Sequence, residues 1–404
     1  MKFFRSFSAL TYRNFRLFWF GQVISLTGTW MHSTSQGWLV LKLTDSPFYL
    51  GLVGSAASMP ILLFTLVGGV AADRFPKRKI LLATQSMLMI LAFSLAIMVS
   101  TGVVTVWHVL SLAFLIGTVS AFDIPARQSF LIEMVGKDNL MNAIALNSAA
   151  FNGARIIGPA VAGMLIGYLG LAVCFYINAL SFLAAIIGLA MMRFKPEEIR
   201  KPHRAGIKEE LRQGLKYIRN EPKIYSLIIS VGIISFFGFP YLTFLPVYAR
   251  DILKIGATGL GVLMGFAGAG AFTGAISLAV RGNFSKKGVL LASSSIIFSS
   301  ALLVFSLSTV TWLSYLMLFL IGWGAISQIA TANSLLQLTV PDRLRGRVMS
   351  SFTMVFLGMA SLGNFVLGSL AHYVGIQTAL GIGAKLCLLG TIWLLWKKPD
   401  ILKM

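Results

Sequence analysis

Charge is scarce in this chain, and negative charge is scarcer still. Of its 404 residues 12% are charged and 57% hydrophobic, where a soluble protein carries roughly 25% and 45 to 50%. That balance excludes a water-soluble globular fold and points to lipid as the solvent. Cysteine is almost lacking: Cys174 and Cys387 each sit inside an apolar run, so neither a disulfide framework nor metal-ligand spacing is present, and both read as packing residues. No G-x-x-x-x-G-K-[ST] phosphate loop occurs and no polar segment exceeds about thirty residues, which leaves no room here for an ATPase domain. No metal-binding cluster and no nucleophile, His and acid set is evident at membrane depth. The chain therefore reads as no enzyme, with no metal and no cofactor.

Apolar runs of the length that crosses a bilayer fill the space that charge leaves. They lie near 17–41, 48–72, 80–100, 106–124, 143–168 and 171–192, and again near 224–248, 257–280, 288–307, 312–334, 347–371 and 376–396. Twelve spans put both termini on one side. The two sets of six are copies: Gly153, Gly158, Gly163, Tyr168 and Gly170 recur as Gly358, Gly363, Gly368, Tyr373 and Gly375, all at an offset of 205. A six-helix unit duplicated in one orientation has a pseudo-two-fold axis along the membrane normal, as in transporters that rock two halves around a central site. The expected fold is all-α: twelve transmembrane helices in two pseudo-symmetric six-helix bundles, 1–193 and 223–404, with a linker at 194–222.

The net charge of +21 is topological rather than a nucleic-acid footprint. Of the 34 Lys and Arg, 29 fall at the termini or after even-numbered spans, which by the positive-inside rule makes those ends cytoplasmic. Ten of them lie between the sixth and seventh spans, from Arg193 to Lys223, where Ile207, Leu211, Leu215 and Ile218 share one helical face and Lys208, Arg212, Lys216 and Arg219 another,. This pattern reads as an interfacial helix facing anionic lipid, or else as a solvated tether. The basic-then-apolar start MKFFRSFSALTYRNFRLFWF continues past Trp38 with no Ala-x-Ala site, so an uncleaved first helix is expected.

Two charged features lie within or beside the spans. After the second span the chain reads Gly69-Val-Ala-Ala-Asp73-Arg74-Phe-Pro76-Lys77-Arg78-Lys79. An Asp beside such a basic cluster can pair with cations or with a helix N-terminus in one conformation only, which makes a gate; a basic loop that merely sets topology would account for the cations but not for the Asp. In the fifth span, Gly153-Ala-Arg155-Ile-Ile-Gly158-Pro159-Ala-Val-Ala-Gly163 combines close-packing glycines with a proline that frees the carbonyl of Arg155. Arg155 near mid-membrane costs about 2.5 to 3.5 kcal/mol on insertion scales and should face the interior or water. Together with Lys385, it would favour an anionic or zwitterionic substrate, although Lys385 reads better as snorkelling or packing. No Asp or Glu is expected centrally in a span, because Asp73 and Asp123 both read as lying near cytoplasmic ends. That leaves His32, the gate carboxylates or the substrate to carry a proton.

The loop from Gly69 to Lys79 resembles the best-known motif of the major facilitator superfamily, with Pro76 where that family commonly has Gly. The fifth span is similar to the motif the superfamily associates with exporters and antiporters. Phe122-Asp123-Ile-Pro125-Ala-Arg127-Gln128 with Glu133, and Asn333 to Gln337 with Pro341-Asp342-Arg343-Leu-Arg345-Gly346-Arg347, resemble the enterobactin-exporter-like branch, the transmembrane secretion effectors. The resemblance covers nearly the whole chain. It implies a cytoplasmic latch of Asp73, Arg127, Arg345 and Arg347, with Arg74, Arg78 and Asp123 as further gating residues, and a central path lined by the first, fourth, seventh and tenth spans; Asp123 and Arg127 read equally as ordinary end-of-helix charges.

On the first span Gln22, Ser25, Thr29, His32 and Gln36 form one polar face that lipid cannot satisfy,. The seventh offers Tyr241 and the tenth Trp323 and Gln328, an aromatic and amide lining suited to an amphiphilic molecule. Gly153, Gly158, Pro159, Gly163, Gly358, Gly363 and Gly368 are expected in helix packing. The expectation is a monomeric, multi-pass protein of the plasma (inner) membrane with cytoplasmic termini. It would export a small siderophore- or drug-like amphiphile by alternating access, with protons and anionic lipids as further partners and no nucleic acid. An uptake symporter, a lipid or lysolipid transporter and a non-transporting scaffold or sensor are the alternatives.

Overall fold

A computed structural model describes residues 8–136, 139–193, 216–281 and 286–403. Twelve long helices run through them: α1 Arg13–Thr44, α2 Pro47–Arg74, α3 Lys77–Ser100, α4 Val106–Val135, α5 Leu140–Leu169, α6 Leu171–Ala190, α7 Pro222–Ile252, α8 Gly256–Arg281, α9 Lys287–Leu307, α10 Thr311–Thr339, α11 Asp342–Val374 and α12 Ile376–Lys397. Among the described residues there is no strand. Eleven of the twelve contain an apolar window long enough to cross a membrane; α1, with the polar face, does not reach that threshold. In α7 two five-residue π-helical stretches, Ile234–Gly238 and Tyr248–Ile252, interrupt the α-helical ladder. The expected linker falls mainly on 194–215, outside the described residues, as do Ile207, Lys208, Leu211, Arg212 and Leu215. Ile218 is described and is buried in an apolar cluster with Ile224, Leu227 and Leu336.

The chain divides into two compact units, Met1–Leu43 with Met59–His203, and Thr44–Ser58 with Arg204–Met404. The first part of α2 thus counts with the second unit, a crossover that the simple division at 193 and 223 does not contain. Within the first unit α3 packs on α4 and α6. There α5 crosses α1 at Gly158, where a Cβ would meet the Trp30 Cβ at 2.6 Å and the Thr27 carbonyl oxygen at 2.7 Å. Within the second unit α8 and α9 pack on α10. Gly363, the repeat-mate of Gly158, lies against α7, its would-be Cβ 2.9 Å from the Phe236 carbonyl carbon and 3.0 Å from Pro240.

The same relation between helices five and one thus recurs as eleven and seven. Gly368 faces Gly51 on the α2 segment of its unit, while nothing lies within 4 Å of a Cβ placed on Gly153. Pro159 and Gly163 are buried on α5. The sharp turns also repeat: Gly170 between α5 and α6 has φ +88°, and Gly375 between α11 and α12 has φ +79°, a conformation glycine adopts without a Cβ penalty.

The offset is not uniform along the chain. Helix α3 has 24 residues and α9 has 21, and they begin at Lys77 and Lys287, whereas α4 and α10 begin at Val106 and Thr311. The second copy is therefore five residues shorter between the start of its third helix and the start of its fourth.

Candidate functional site

Asp123 corrects the sequence expectation. Helix α4 does not stop near residue 124 but continues through Pro125 to Val135. Asp123 therefore lies 12 residues inside its C-terminal end, roughly 18 Å at 1.5 Å per residue. Its carboxylate is central and 2% exposed. Burial of this charge is tolerable because donors from α3 and from its own helix reach both carboxylate oxygens,. Thr84 Oγ1 donates to Asp123 Oδ1 at 2.8 Å and Gln85 Nε2 at 2.9 Å, both from α3. Arg127, one turn along α4, pairs with Oδ2 and also donates to Gln22 Oε1 on α1. Ser25 Oγ reaches Gln85 Oε1 at 3.4 Å. Sequence reasoning singled out Asp123, Arg127, Gln22 and Ser25 but missed Thr84 and Gln85, whose only signal is a polar pair in an otherwise apolar span.

This network forms part of the wall of a cavity of about 390 Å³ within the first unit. Ser25, Thr29 and His32 of α1, Asp123, Arg127 and Gln128 of α4, Asn147 and Phe151 of α5 and Asn178 of α6 contribute to its lining, with Leu88, Ile116 and Phe182 among the apolar remainder. An apolar wall with few convergent polar groups is what orients a small organic ligand. His32 is held on both sides of its ring, by Gln36 Oε1 at 3.0 Å and by Asn178 at 3.2 Å, and packs edge-on against Phe175. Asn178 is a third residue the sequence did not single out, and its Oδ1 is buried with no partner among the described residues.

Arg155 is placed otherwise than a cavity-lining residue would be. It is 7% exposed, and its guanidinium lies 5.6 Å from the centroid of the Trp30 ring, a cation–π contact worth on the order of 1 to 2 kcal/mol when desolvated. Trp30 also meets Phe151 edge-on, with ring centroids 5.7 Å apart. Among the described residues Arg155 has no carboxylate partner.

The remaining expected residues lie apart from this cavity. In the second unit Gln328 is fully buried and donates to Ser230 on α7 at 3.3 Å. Tyr241 is sealed beside Phe298, and Trp323 is half-buried. Asp73 and Arg74 end α2 exposed. Arg78 closes the end of α6, donating to the Leu189 and Ala190 carbonyls at 2.8 Å each. Arg345 Nε donates to the Gln337 carbonyl at 3.1 Å, near the end of α10. These last two arginines satisfy helix-terminal carbonyls. Lys77 pairs with Glu133, and Lys385 is exposed on α12.

Membrane-length helices in a duplicated arrangement, with an apolar-walled cavity carrying a few polar groups inside one bundle, are the architecture of a multi-pass membrane transporter. The family model described as "Transmembrane secretion effector" matches residues 4–401, and the chain belongs to that family of the major facilitator superfamily. Similar proteins include the staphyloferrin A transporter of Staphylococcus aureus, 25% identical over 91% of this chain and 92% of that one. The multidrug efflux pump Tap of Mycolicibacterium fortuitum is 26% identical over 88% of both, and the enterobactin exporter EntS of Shigella boydii is 23% identical over 90% and 84%. Among solved structures a bacterial homologue of the human lysosomal transporter Spinster superposes with TM-score 0.77 at 13% identity, over 97% and 98% of the two chains. A POT family transporter bound to a thioalcohol-conjugated peptide gives 0.78 at 11%, over 96% of each.

Proposed function

We propose that this protein is a secondary active exporter of a small amphiphilic organic molecule, siderophore- or drug-like, coupled to proton entry by alternating access. The observation that carries the reading is the buried Asp123–Arg127 pair in the wall of the cavity of the first unit. Ionised Asp123 holds Arg127; protonation dissolves that pair and turns a guanidinium toward the cavity, so proton and substrate bias the same residues. The names of the relatives, an efflux pump and an enterobactin exporter among them, support the outward direction. In this reading the protein is a monomer in the plasma membrane with cytoplasmic termini. Asp73, Arg74 and Arg347 belong to the cytoplasmic gate, and the basic linker faces anionic lipid.

The test is untargeted mass spectrometry of medium and cells with and without the protein, repeated with a proton ionophore. A metabolite lost from the medium and retained in deletion cells, with its export blocked by the ionophore, is the expected outcome. Accumulation outside deletion cells would make the protein an importer, and no difference at all would return the lipid-transport and scaffold readings.

A further inference from the structure

We infer that Arg155 is an anion-recognition subsite kept covered by Trp30, and that the exported molecule carries a negative charge that takes the place of the indole. The inference rests on the cavity of the proposed exporter and adds to it the charge of the cargo. A guanidinium at this depth in a membrane is retained against its insertion cost only where something compensates it. Within the first unit the charge on Asp123 is already spent on Arg127, Thr84 and Gln85. His32 has Gln36 and Asn178 on its two ring nitrogens. Arg155 is left as a positive charge with an aromatic face for company.

Its position suits the role. Asn147, Phe151 and Arg155 stand at i, i+4 and i+8 on α5, one continuous row, and the first two line the cavity. On α1, Thr29 and His32 line the cavity on either side of Trp30 in sequence. Arg155 therefore lies at the level of the cavity, one helical turn beyond its wall, with a single indole over its guanidinium. The glycine at 158 brings the backbones of α1 and α5 together at this place, so Trp30 is held within reach of Arg155 while its side chain stays free to turn aside. An indole attracts a guanidinium through its ring quadrupole, more weakly than a carboxylate or phosphate does through two charge-assisted hydrogen bonds. An anion entering beside Phe151 outcompetes the ring, whereas a neutral or cationic molecule leaves it in place.

The experiment uses full-length protein in detergent and three fluorescent probes of nearly equal size: dansylglycine, an anion; its neutral amide, dansylglycinamide; and dansylcadaverine, a cation. Wild type should bind the anion at least ten-fold more tightly than the amide, and the cation more weakly than either. Arg155→Gln should bring anion and amide within two-fold of each other without changing the affinity for the amide. Arg155→Lys keeps the charge and should retain a preference of several-fold, which guards against a variant that simply fails to fold. Trp30→Ala removes the cover and should leave the preference at least as large as in wild type. A preference that survives Arg155→Gln, a preference lost in Trp30→Ala, or failure of all three probes to bind would overturn the assignment. In cells, a cargo identified by mass spectrometry as neutral or cationic would overturn it while leaving the export reading intact. A cargo driven inward would sink the export reading while leaving the anion preference measurable on the purified protein.

Discussion

Position 123 in α4 and position 328 in α10, 205 residues apart, occupy the same place in the two repeats, and both side chains are buried. One is a carboxylate held by three polar neighbours, the other an amide bonded to Ser230. Each joins its own bundle across helices, α4 to α3 in the first and α10 to α7 in the second. The amide does so without charge, which teaches that helix packing at this level does not require ions. Burying an ion pair costs several kcal/mol of desolvation per ion, so charges kept in one copy and dispensed with in the other point to a task beyond packing. Arg155 repeats the lesson, because its mate at 360 is alanine. The first bundle places an ion pair at this level, and the second places an amide bonded to a hydroxyl there. In the second, Ser327 Oγ, Gln328 Oε1 and Thr331 Oγ1 are buried without partners among the described residues.

The largest effect should come from making the first bundle resemble the second. Asp123→Gln should abolish ionophore-sensitive export, whereas Gln328→Leu should leave most of it; equal losses, measured as cargo in the medium, would erase the functional difference drawn between the copies. Next, Arg127→Met leaves the Asp123 charge buried and unpaired and should lower stability by about 3 to 5 kcal/mol, read as an earlier thermal transition in detergent. Adding Asp123→Asn to that variant should restore much of the loss, and no recovery would mean that the pair is not the stabilising unit. Smaller and symmetric effects are expected where the copies agree. Gly158→Leu and Gly363→Leu each force a side chain into backbone on the facing helix and should cost about 1 to 3 kcal/mol apiece. A large difference between the two would show that the shared crossing is not equally tight. Smallest, Arg78→Gln removes two hydrogen bonds at the end of α6 and should cost about 1 kcal/mol, with export nearly unchanged.

Much of the architecture was legible from composition and periodicity, because lipid demands long apolar helices and a duplication writes its glycines twice. The fold class, the number of long helices and the turn glycines at 170 and 375 follow from that. The depth of Asp123 was not legible. Asp, Pro and Arg at 123, 125 and 127 look like the end of a span to any reading of hydropathy. They are interior because Arg127 neutralises Asp123 within the same helix while Thr84 and Gln85 approach from another, and pairing across helices leaves no periodic trace. The same holds for Arg155, whose cover is a tryptophan 125 positions away in sequence. Arg78 and Arg345 read as members of a charged latch, since sequence shows a cation but not the helix-end carbonyls it reaches.

The shortening of the second copy between the start of α9 and the start of α10 bears on protein engineering. The two copies differ at this point by three residues of helix and two of loop, while the helices that follow keep their 205-residue register. The two equivalent loops, 101–105 and 308–310, are therefore where the chain tolerates a change of length. An epitope or a small fluorescent tag placed there should leave both bundles folded.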